Sequence, residues 1–371
     1  GHIKIGNISN SQDSQLLQKA LKSESSAIDI HHAGTAMRFL TAYFAVQDGR
    51  SVTLTGSERM KQRPIGHLVT ALQSLGAEIK HLEKEGYPPL QIIGKKLVEN
   101  KVSIPADISS QFITALLLIA GSLENGLEIT LTGKITSRPY LEMTLIMLQS
   151  LGIQNEFSKN IIKVSPFIPS ETIIDYEVES DWSSASYFYS FAAIGRKEIS
   201  IKSFYRDSLQ ADSALVEIYK QFFGLESHFS DYTLKLTPTT EFEFPKRLEL
   251  DMNDCPDIAQ TLCVTAAAFK IPFNISGLAT LKVKETDRLQ ALQTELAKLG
   301  CHTEITDSTI KTTEYTEPDK QISIATYNDH RMAMSFAPFC LKQDIAIEDP
   351  QVVEKSYPDF WNDVETILEA K

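Results

Sequence analysis

Four glycines mark a repeat that constrains the fold of this chain more than any other feature of its sequence. Each follows an amphipathic, helix-like segment that ends in a large apolar residue, and a short strand-like run comes next. They are Gly76, Gly152, Gly224 and Gly300, at intervals of 72 to 76 residues. Glycine just after the last turn is the usual left-handed end of a helix. Because so long a period is typical of repeated supersecondary units, the pattern predicts a chain built from similar units.

Between these helices lie strand-like segments and a second kind of helix. The strand-like segments are 51–56, 126–133, 197–203 and 273–277. The second helices, at 109–123, 183–195 and 257–269, are apolar on nearly every face. Such helices are usually buried, so we expect the amphipathic ones to lie outside them. The sequence therefore predicts an α/β protein, and the polar segment 203–213 predicts a domain junction at mid-chain.

The composition and net charge of the chain argue against several classes of function. A chain of 371 residues, 42% hydrophobic and 23% charged, has enough apolar mass for two domains. Its formal net charge of -12 argues against a general nucleic-acid or anionic-membrane surface. No apolar run is long enough to span a bilayer, and the first residues show no apolar signal-peptide region. We therefore expect a cytoplasmic protein without nucleic-acid or membrane partners.

Cofactor motifs are missing from the sequence. The four cysteines have no CxxC spacing and form no cluster with histidine, so we expect free thiols and no metal site; they are Cys255, Cys263, Cys301 and Cys340. GxxxxGK[ST], a strand-linked GxGxxG and GxSxG do not occur. The sequence therefore predicts neither a dinucleotide cofactor nor a metal site.

Polar and cationic residues cluster where helices are predicted to begin. The run Tyr327–Met334 sets an acid, an imidazole and a guanidinium before an apolar helix, and 284–288 sets Lys, Glu and Arg before another. Helix N-termini carry free N–H groups and attract anions. For Asn328 or Asp329 alone, a helix-capping role is an equally good interpretation. Repetition of this arrangement with Arg and Lys favours a site for a polyanionic ligand.

An ordered series of motifs resembles the 3-phosphoshikimate 1-carboxyvinyltransferase family, also called 5-enolpyruvylshikimate-3-phosphate (EPSP) synthases. The motifs span nearly the whole chain and occur in the family's order: Ala33–Arg38, Arg59–Ile65, Ser109–Phe112, Ser137–Tyr140, Ser183–Tyr187, Pro256–Asp257, Lys284–Arg288, Tyr327–Met334 and Lys355. The resemblance implies a two-domain inside-out α/β barrel built from βαβαββ units. We expect one three-repeat domain at 1–209, its first repeat truncated, a second at 210–371, and an active site in the cleft between them.

The resemblance also implies the reaction and its residues. The enolpyruvyl group of phosphoenolpyruvate would pass to the 5-hydroxyl of shikimate 3-phosphate, with release of phosphate. No metal or cofactor would be needed, because both reactants bring their own functionality, and we expect a monomer. Residues implied for phosphoenolpyruvate are Gly34, Arg63, Gln111, Arg288, Arg331 and Lys355. Those implied for shikimate 3-phosphate are Ser109, Ser110, Gln111, Ser137, Asp257, Thr280 and Lys284. We expect Asp257 to be the base and Glu285 the proton donor, with Lys284 and Lys355 as rival acids and His330 to orient the groups or relay a proton.

Three departures from the family pattern leave alternatives open. The family's N-terminal Lys-Ser-x-Ser-Asn-Arg element is missing; Lys22–Ser25 looks like it but is expected to follow a helix. His32 and Thr280 stand where the family usually has Asn. A truncated chain or an impaired homologue that only binds shikimate 3-phosphate would explain the first departure. A transferase acting on UDP-N-acetylglucosamine is disfavoured, because that enzyme typically has a reactive cysteine in its first half, whereas the first cysteine here is Cys255.

Overall fold

Each of the four repeat glycines lies at a helix end in the computed structural model, which describes residues 3–169 and 174–369. The backbone φ angles are 102° at Gly76, 87° at Gly152, 61° at Gly224 and 75° at Gly300. Side chains disfavour this left-handed region, and glycine, having no Cβ, adopts it readily. The predicted helix ends are therefore confirmed.

The first compact unit runs to Val178. In chain order its elements are β1 (Ile3–Gly6), α1 (Gln12–Lys22), β2 (Ala27–Asp29), α2 (Gly34–Ala45), β3 (Ser51–Thr55), α3 (Gly66–Ser74), β4 (Glu78–His81), β5 (Leu90–Ile93), β6 (Lys101–Pro105), α4 (Ser110–Ala120), β7 (Leu127–Thr132), α5 (Arg138–Ser150), β8 (Asn155–Ser158), β9 (Ile161–Val164) and β10 (Ile174–Glu177).

The second unit begins at Glu179. Its elements are α6 (Trp182–Gly195), β11 (Ile199–Lys202), α7 (Leu215–Phe223), β12 (Leu225–Ser230), β13 (Thr233–Pro238), β14 (Leu248–Asp251), α8 (Ala259–Ala268), β15 (Phe273–Ser276), α9 (Arg288–Lys298), β16 (Cys301–Ile305), β17 (Ile310–Tyr315), β18 (Ile322–Ile324), α10 (His330–Phe336), β19 (Ile345–Ile347) and α11 (Phe360–Glu369).

Three four-stranded sheets share one topology, which is the structural form of the repeat. Their orders are β2-β3-β5-β4, β6-β7-β9-β8 and β14-β15-β17-β16. In each, the first two strands are parallel and the others join antiparallel. A parallel pair needs a crossover, which α2, α4 and α8 supply. Each sheet therefore belongs to one βαβαββ unit, as the sequence predicted. The smaller sheets are β1-β10, β18-β19 and β11-β13-β12.

The apolar helices form the interior of each unit. In the first, α2 packs against α4; in the second, α6, α8 and α10 pack against one another. Nearly every residue of α6 and α8 is buried. Outer helices such as α7 bury one face only. The prediction of buried helices at 109–123, 183–195 and 257–269 is confirmed, with bounds shifted by one to three residues at most ends.

The compact units divide at residues 178 and 179, earlier than the predicted boundary at 209 and 210. The carboxylate of Glu179 accepts hydrogen bonds from Trp182 Nε1 at 2.8 Å, the Tyr205 amide at 3.0 Å, Ser208 Oγ at 2.7 Å and Gln210 Nε2 at 3.1 Å. These bonds tie the polar segment 203–213, predicted as the junction, into the second unit. Lys22 is the last residue of α1, so Lys22–Ser25 follows a helix, as predicted.

No helix in the described part of the chain combines the length and apolar character that crossing a membrane requires.

Candidate active site

A buried guanidinium organises the charged residues of the second unit. Arg288, the first residue of α9, is only 2% exposed. Its Nε donates to Asp329 Oδ2 at 2.6 Å, and its Nη1 donates to Asp257 Oδ1 at 2.9 Å. Its Nη2 donates to Glu285 Oε2 at 2.9 Å. A buried charge is tolerated only when it is paired and hydrogen-bonded. Arg288 therefore fixes three carboxylates from separate parts of the chain in one place.

Asp257 faces three cations. Lys284 Nζ lies 3.2 Å from its Oδ1, and Arg331 Nη2 lies 3.7 Å from its Oδ2. Burial alone would raise the pKa of this carboxyl, but Lys284, Arg331 and Arg288 together hold the pKa of Asp257 well below its ordinary value. Burial also lowers the pKa of Lys284, against the attraction of Asp257. Asp257 is therefore ionised at neutral pH, beside an ammonium group whose proton is held less tightly than usual.

A second short ion pair lies on the other side of Arg288. Lys355 Nζ donates to Glu285 Oε1 at 2.5 Å, and both side chains are largely buried. Lys355 ends the short 3₁₀ turn Pro350–Lys355, and Glu285 lies just before α9. The close contact gives Glu285 a direct route for exchanging a proton with an ammonium group.

Arg331 is held from two sides. Its Nη1 donates to the backbone oxygen of Asp257 at 3.3 Å, and its Nη2 donates to Ser183 Oγ at 3.1 Å. Ser183 Oγ in turn donates to Asp212, which is 2% exposed. Burial, and then the negative charge of Asp257, raise the pKa of Asp212 to about 6. The guanidinium thus has a fixed orientation at the start of α10.

His330 Nδ1 and Thr280 Oγ1 are buried polar atoms, and Thr280 lies in the 3₁₀ turn Ala279–Val283 that leads into Lys284. Burial and the charge of Lys355 put the pKa of His330 well below its ordinary value, so the imidazole is neutral. Its Nδ1 is 3.6 Å from Asp329 Oδ1, which is longer than a hydrogen bond. Among the described residues, Thr280 Oγ1 has no hydrogen-bond partner although it is buried. Asp329 caps α10 by accepting from the Arg331 amide at 2.9 Å, as one interpretation of the sequence predicted.

In the first unit, two guanidiniums converge on Gly34. Gly34 begins α2, and a Cβ placed there would collide with Arg63 Nη1 and lie 3.1 Å from Arg38 Nη1. Arg38 donates to the backbone oxygen of Gly34 at 2.8 Å and to that of Pro64 at 3.3 Å. Arg63 and Arg38 are both buried. This geometry explains why the position is glycine, and it gives the start of α2 a concentrated positive charge.

The predicted phosphate ligands lie at two helix starts in the same unit. Gln111 Nε2 donates to Thr35 Oγ1 at 3.0 Å, which joins the start of α4 to that of α2. Ser109 and Ser137 precede α4 and α5, and in the described structure neither hydroxyl caps its own helix. Ser137 has a left-handed φ of 50°, a conformation that few non-glycine residues adopt. Ser110 is the first residue of α4.

The structure thus places the predicted residues in two groups, one in each unit. In the second unit it brings together Asp257, Lys284, Glu285, Arg288, His330, Arg331 and Lys355. Sequence reasoning missed Asp212 and Ser183 as supports of Arg331, and Arg38 as a partner of Gly34. The motifs contained Ser183 and Arg38, but no pattern indicated their contacts. Asp212 lies in the segment that was interpreted as a junction.

Comparison with known proteins gives one consistent result. The sequence model of the family described as EPSP synthase (3-phosphoshikimate 1-carboxyvinyltransferase) matches residues 2–364. A 3-phosphoshikimate 1-carboxyvinyltransferase of Bacteroides fragilis is 41% identical over 367 residues, covering 97% of this chain and 88% of the relative. One from Colwellia psychrerythraea is 38% identical over 336 residues, covering 89% of this chain and 76% of the relative.

Among solved structures, an EPSP synthase of Acinetobacter baumannii superposes with a TM-score of 0.67 at 23% identity, covering 93% of this chain and 80% of that one. At this identity the likeness concerns the fold. It confirms the predicted class, an inside-out α/β fold in two domains.

Proposed function

Because the chain belongs to the EPSP synthase family, the 3-phosphoshikimate 1-carboxyvinyltransferases, we propose that the charged cluster around Arg288 carries that family's chemistry. The chain transfers the enolpyruvyl group of phosphoenolpyruvate to the 5-hydroxyl of shikimate 3-phosphate and releases phosphate, in the shikimate pathway to aromatic amino acids. The observation that carries the assignment of residues is the convergence of Asp257, Glu285 and Asp329 on one buried guanidinium.

Both substrates are anions, so their ligands must supply positive charge or N–H groups. For phosphoenolpyruvate we assign Arg288, Arg331 and Lys355 in the second unit. A unit charge pair about 4 Å apart contributes roughly 4 kcal/mol at an effective dielectric constant of 20, so several cations can offset desolvation of the anion. The net charge of -12 repels anions at long range, which makes this local concentration of cations the feature that favours binding.

The proposal also assigns residues of the first unit to the two substrates. We assign Arg63, Gln111 and the backbone at Gly34 to the donor, supported by the convergence of Arg63 and Gly34. We assign Ser109, Ser110, Gln111 and Ser137 to the phosphate of shikimate 3-phosphate. Support comes from the hydroxyls of Ser109 and Ser137, which do not cap their own helices in the described structure.

The acceptor's ring hydroxyls are assigned to Asp257, Lys284 and Thr280. Asp257 is the proposed base, because it is ionised and can accept a hydrogen bond from the 5-hydroxyl. Its low pKa makes it a weak base, and Lys284 at 3.2 Å, with a lowered pKa, is the group beside it through which a proton can leave. A base of this kind typically contributes about 10²–10⁴-fold in rate.

The methylene carbon of the donor needs a proton, and we assign its delivery to Glu285. The support is the 2.5 Å contact between Lys355 Nζ and Glu285 Oε1, through which the ammonium group can return a proton to the carboxylate. His330, being neutral, is assigned to hydrogen bonding rather than to charge stabilisation. A monomeric state and a cytoplasmic location stay predictions from the sequence.

Phosphate release from phosphoenolpyruvate tests the proposal. We expect turnover with shikimate 3-phosphate and none with UDP-N-acetylglucosamine. Asp257→Asn should lower kcat by about 10²-fold or more, since the amide cannot take a proton. Asp254→Asn, an exposed carboxylate in the same loop, is the matched control and should keep wild-type kcat. Full turnover in Asp257→Asn would contradict the assignment of the base. Binding of shikimate 3-phosphate without phosphate release by the wild type would instead indicate a binding protein.

A further inference from the structure

Glu295, a residue of α9 with no place in the proposed chemistry, is fully buried. Its Oε1 accepts a hydrogen bond from Tyr327 Oη at 2.7 Å. Its Oε2 accepts from the Ala325 amide at 3.1 Å and from Lys298 Nζ at 2.7 Å. Burying a carboxylate is costly unless donors surround it. With three donors around its carboxylate, Glu295 holds the groups that bind it in place and does more than fill space in the core.

Two of the three donors belong to the segment that leads into Asp329, His330 and Arg331. Tyr327 and Asn328 have left-handed φ angles of 54° and 55°. An aromatic residue rarely adopts this conformation, so the surrounding structure must hold it there. The hydrogen bond from the Tyr327 hydroxyl to Glu295 holds Tyr327 in this conformation. Burial and the bond to Glu295 raise the pKa of Tyr327 to about 12, so the group remains a donor at neutral pH.

Two side chains of helix α9, Arg288 and Glu295, therefore form hydrogen bonds with this segment. Arg288, at its first turn, holds Asp329. Glu295 lies two turns further along on the same side, because seven residues span about two turns of a helix, and it holds Ala325 and Tyr327. Lys298 adds a bond to the Ser323 backbone oxygen at 2.7 Å. Between Ala325 and Asp329 the backbone passes through its two left-handed residues, Tyr327 and Asn328. Arg331 follows as the second residue of α10.

We propose that Glu295 is a positioning residue for the enolpyruvyl donor: through Tyr327 and Ala325 it fixes the left-handed turn that orients the Arg331 guanidinium. The inference rests on the proposed function in one respect, the assignment of Arg331 to phosphoenolpyruvate. Glu295 itself touches neither substrate in this proposal. Its loss should therefore weaken binding of the donor and leave binding of the acceptor nearly unchanged.

Tyr327→Phe is the variant that tests the inference, because it removes one hydrogen bond and keeps the ring. We expect KM for phosphoenolpyruvate to rise by about five- to tenfold, the effect of one ordinary, partly buried hydrogen bond. We expect KM for shikimate 3-phosphate to change less than about twofold. Glu295→Gln should act in the same direction and more strongly, since its amide group would face the Ala325 amide and Lys298. Glu304→Gln, an exposed carboxylate of the same unit paired with Lys311, is the control and should match wild type.

A double-mutant cycle separates positioning from general destabilisation. If Tyr327 acts through Arg331, Tyr327→Phe should raise KM for the donor in the wild-type background and have little further effect in Arg331→Lys. Equal effects in both backgrounds, or equal increases in both substrates' KM values, would overturn the inference. Thermal midpoints of all variants identify any that fail to fold; if Glu295→Gln is one of them, Tyr327→Phe still decides the question.

The wild type distinguishes the two possible failures. A wild-type chain that releases no phosphate with shikimate 3-phosphate would overturn the proposed function and, with it, this role of Glu295. An active wild type whose donor KM is unchanged in Tyr327→Phe would overturn the role of Glu295 alone.

Discussion

At the scale of single residues, Gly34 shows how a missing side chain can define a binding position. Its Cα–H side faces Arg63 and Arg38, so a methyl group there would push the Arg63 guanidinium away. The backbone φ of Gly34 does not require glycine, since it lies outside the left-handed residues of the chain. The requirement is therefore one of space beside a guanidinium.

Gly34→Ala should raise KM for phosphoenolpyruvate by about tenfold, because a displaced Arg63 loses one charge-assisted hydrogen bond to the donor. KM for shikimate 3-phosphate, measured in the same steady-state experiment, serves as the internal control and should stay within about twofold. A donor KM equal to that of the wild type would mean that Arg63 does not contact the donor.

Asp212 gives a prediction about stability and pH. Its pKa of about 6 in the folded chain lies above its ordinary value of 3.8. Between these values the folded chain holds more protons than the unfolded one, so the stability that this group contributes at low pH is lost as pH rises through about 6. Asn cannot ionise. Asp212→Asn should therefore become more stable relative to wild type as pH rises from about 4 to 7, by about 2 kcal/mol in all.

Thermal midpoints of wild type and Asp212→Asn, recorded across this pH range, measure the effect. Asp254→Asn removes an exposed carboxylate nearby, and its difference from wild type should stay flat. A difference that is also constant for Asp212→Asn would mean that the carboxyl ionises normally in the folded chain.

The sequence predicted site residues best where neighbours in the chain are neighbours in space. Lys284, Glu285 and Arg288 lie within five residues of one another where α9 begins, so their association follows from closeness in the chain, although only Arg288 belongs to the helix. Asp212 and Ser183 reach Arg331 only through packing of separate elements, which local patterns do not encode. Glu295 looked like an ordinary residue of an amphipathic helix, because nothing in the sequence shows that Tyr327 would turn back onto it.

At the scale of helices and strands, the glycine period predicted the fold because a left-handed cap has few alternatives. The strand predicted at 51–56 also came close to its observed bounds, Ser51–Thr55. Alternation of buried and less buried residues in β3 explains this success. The domain boundary could not be predicted from polarity, because the polar segment 203–213 is held by Glu179 and Gln210, whose hydrogen bonds have no local signature.

The buried helices of the second unit are joined by hydroxyl groups as well as by apolar contacts. Thr265 Oγ1 on α8 lies 2.8 Å from Ser190 Oγ on α6 and 2.8 Å from Tyr219 Oη on α7. All of these groups are buried. Such a network favours one register of the three helices, because sliding one of them would break the hydrogen bonds between them.

Thr265→Val should lower the free energy of unfolding by about 1–3 kcal/mol, because it leaves the Ser190 and Tyr219 hydroxyls short of a partner at nearly constant volume. Denaturant unfolding followed by tyrosine fluorescence and circular dichroism measures it. The control is Thr366→Val on α11, whose hydroxyl donates to the Asn362 backbone oxygen at an exposed position; its effect should be within about 0.5 kcal/mol. Equal effects of the two substitutions would mean that the network adds no stability.

At the scale of the whole chain, the two units have separate cores. One core consists of residues between Ala20 and Val164, and the other of residues between Trp182 and Val364. A core of its own is the property that lets a domain fold cooperatively. We therefore expect two unfolding transitions, each governed by the packing of one unit, rather than a single transition for all 371 residues.

Matched core substitutions test this expectation. Leu116 on α4 and Leu262 on α8 are both fully buried, one in each core. Leu116→Ala and Leu262→Ala should each cost about 2–5 kcal/mol, through lost apolar burial and the cavity left behind. In scanning calorimetry without substrates, each variant should lower the midpoint of one transition and leave the other in place, and the two variants should affect different transitions. If both shifted one common transition by similar amounts, the units would unfold as one cooperative body.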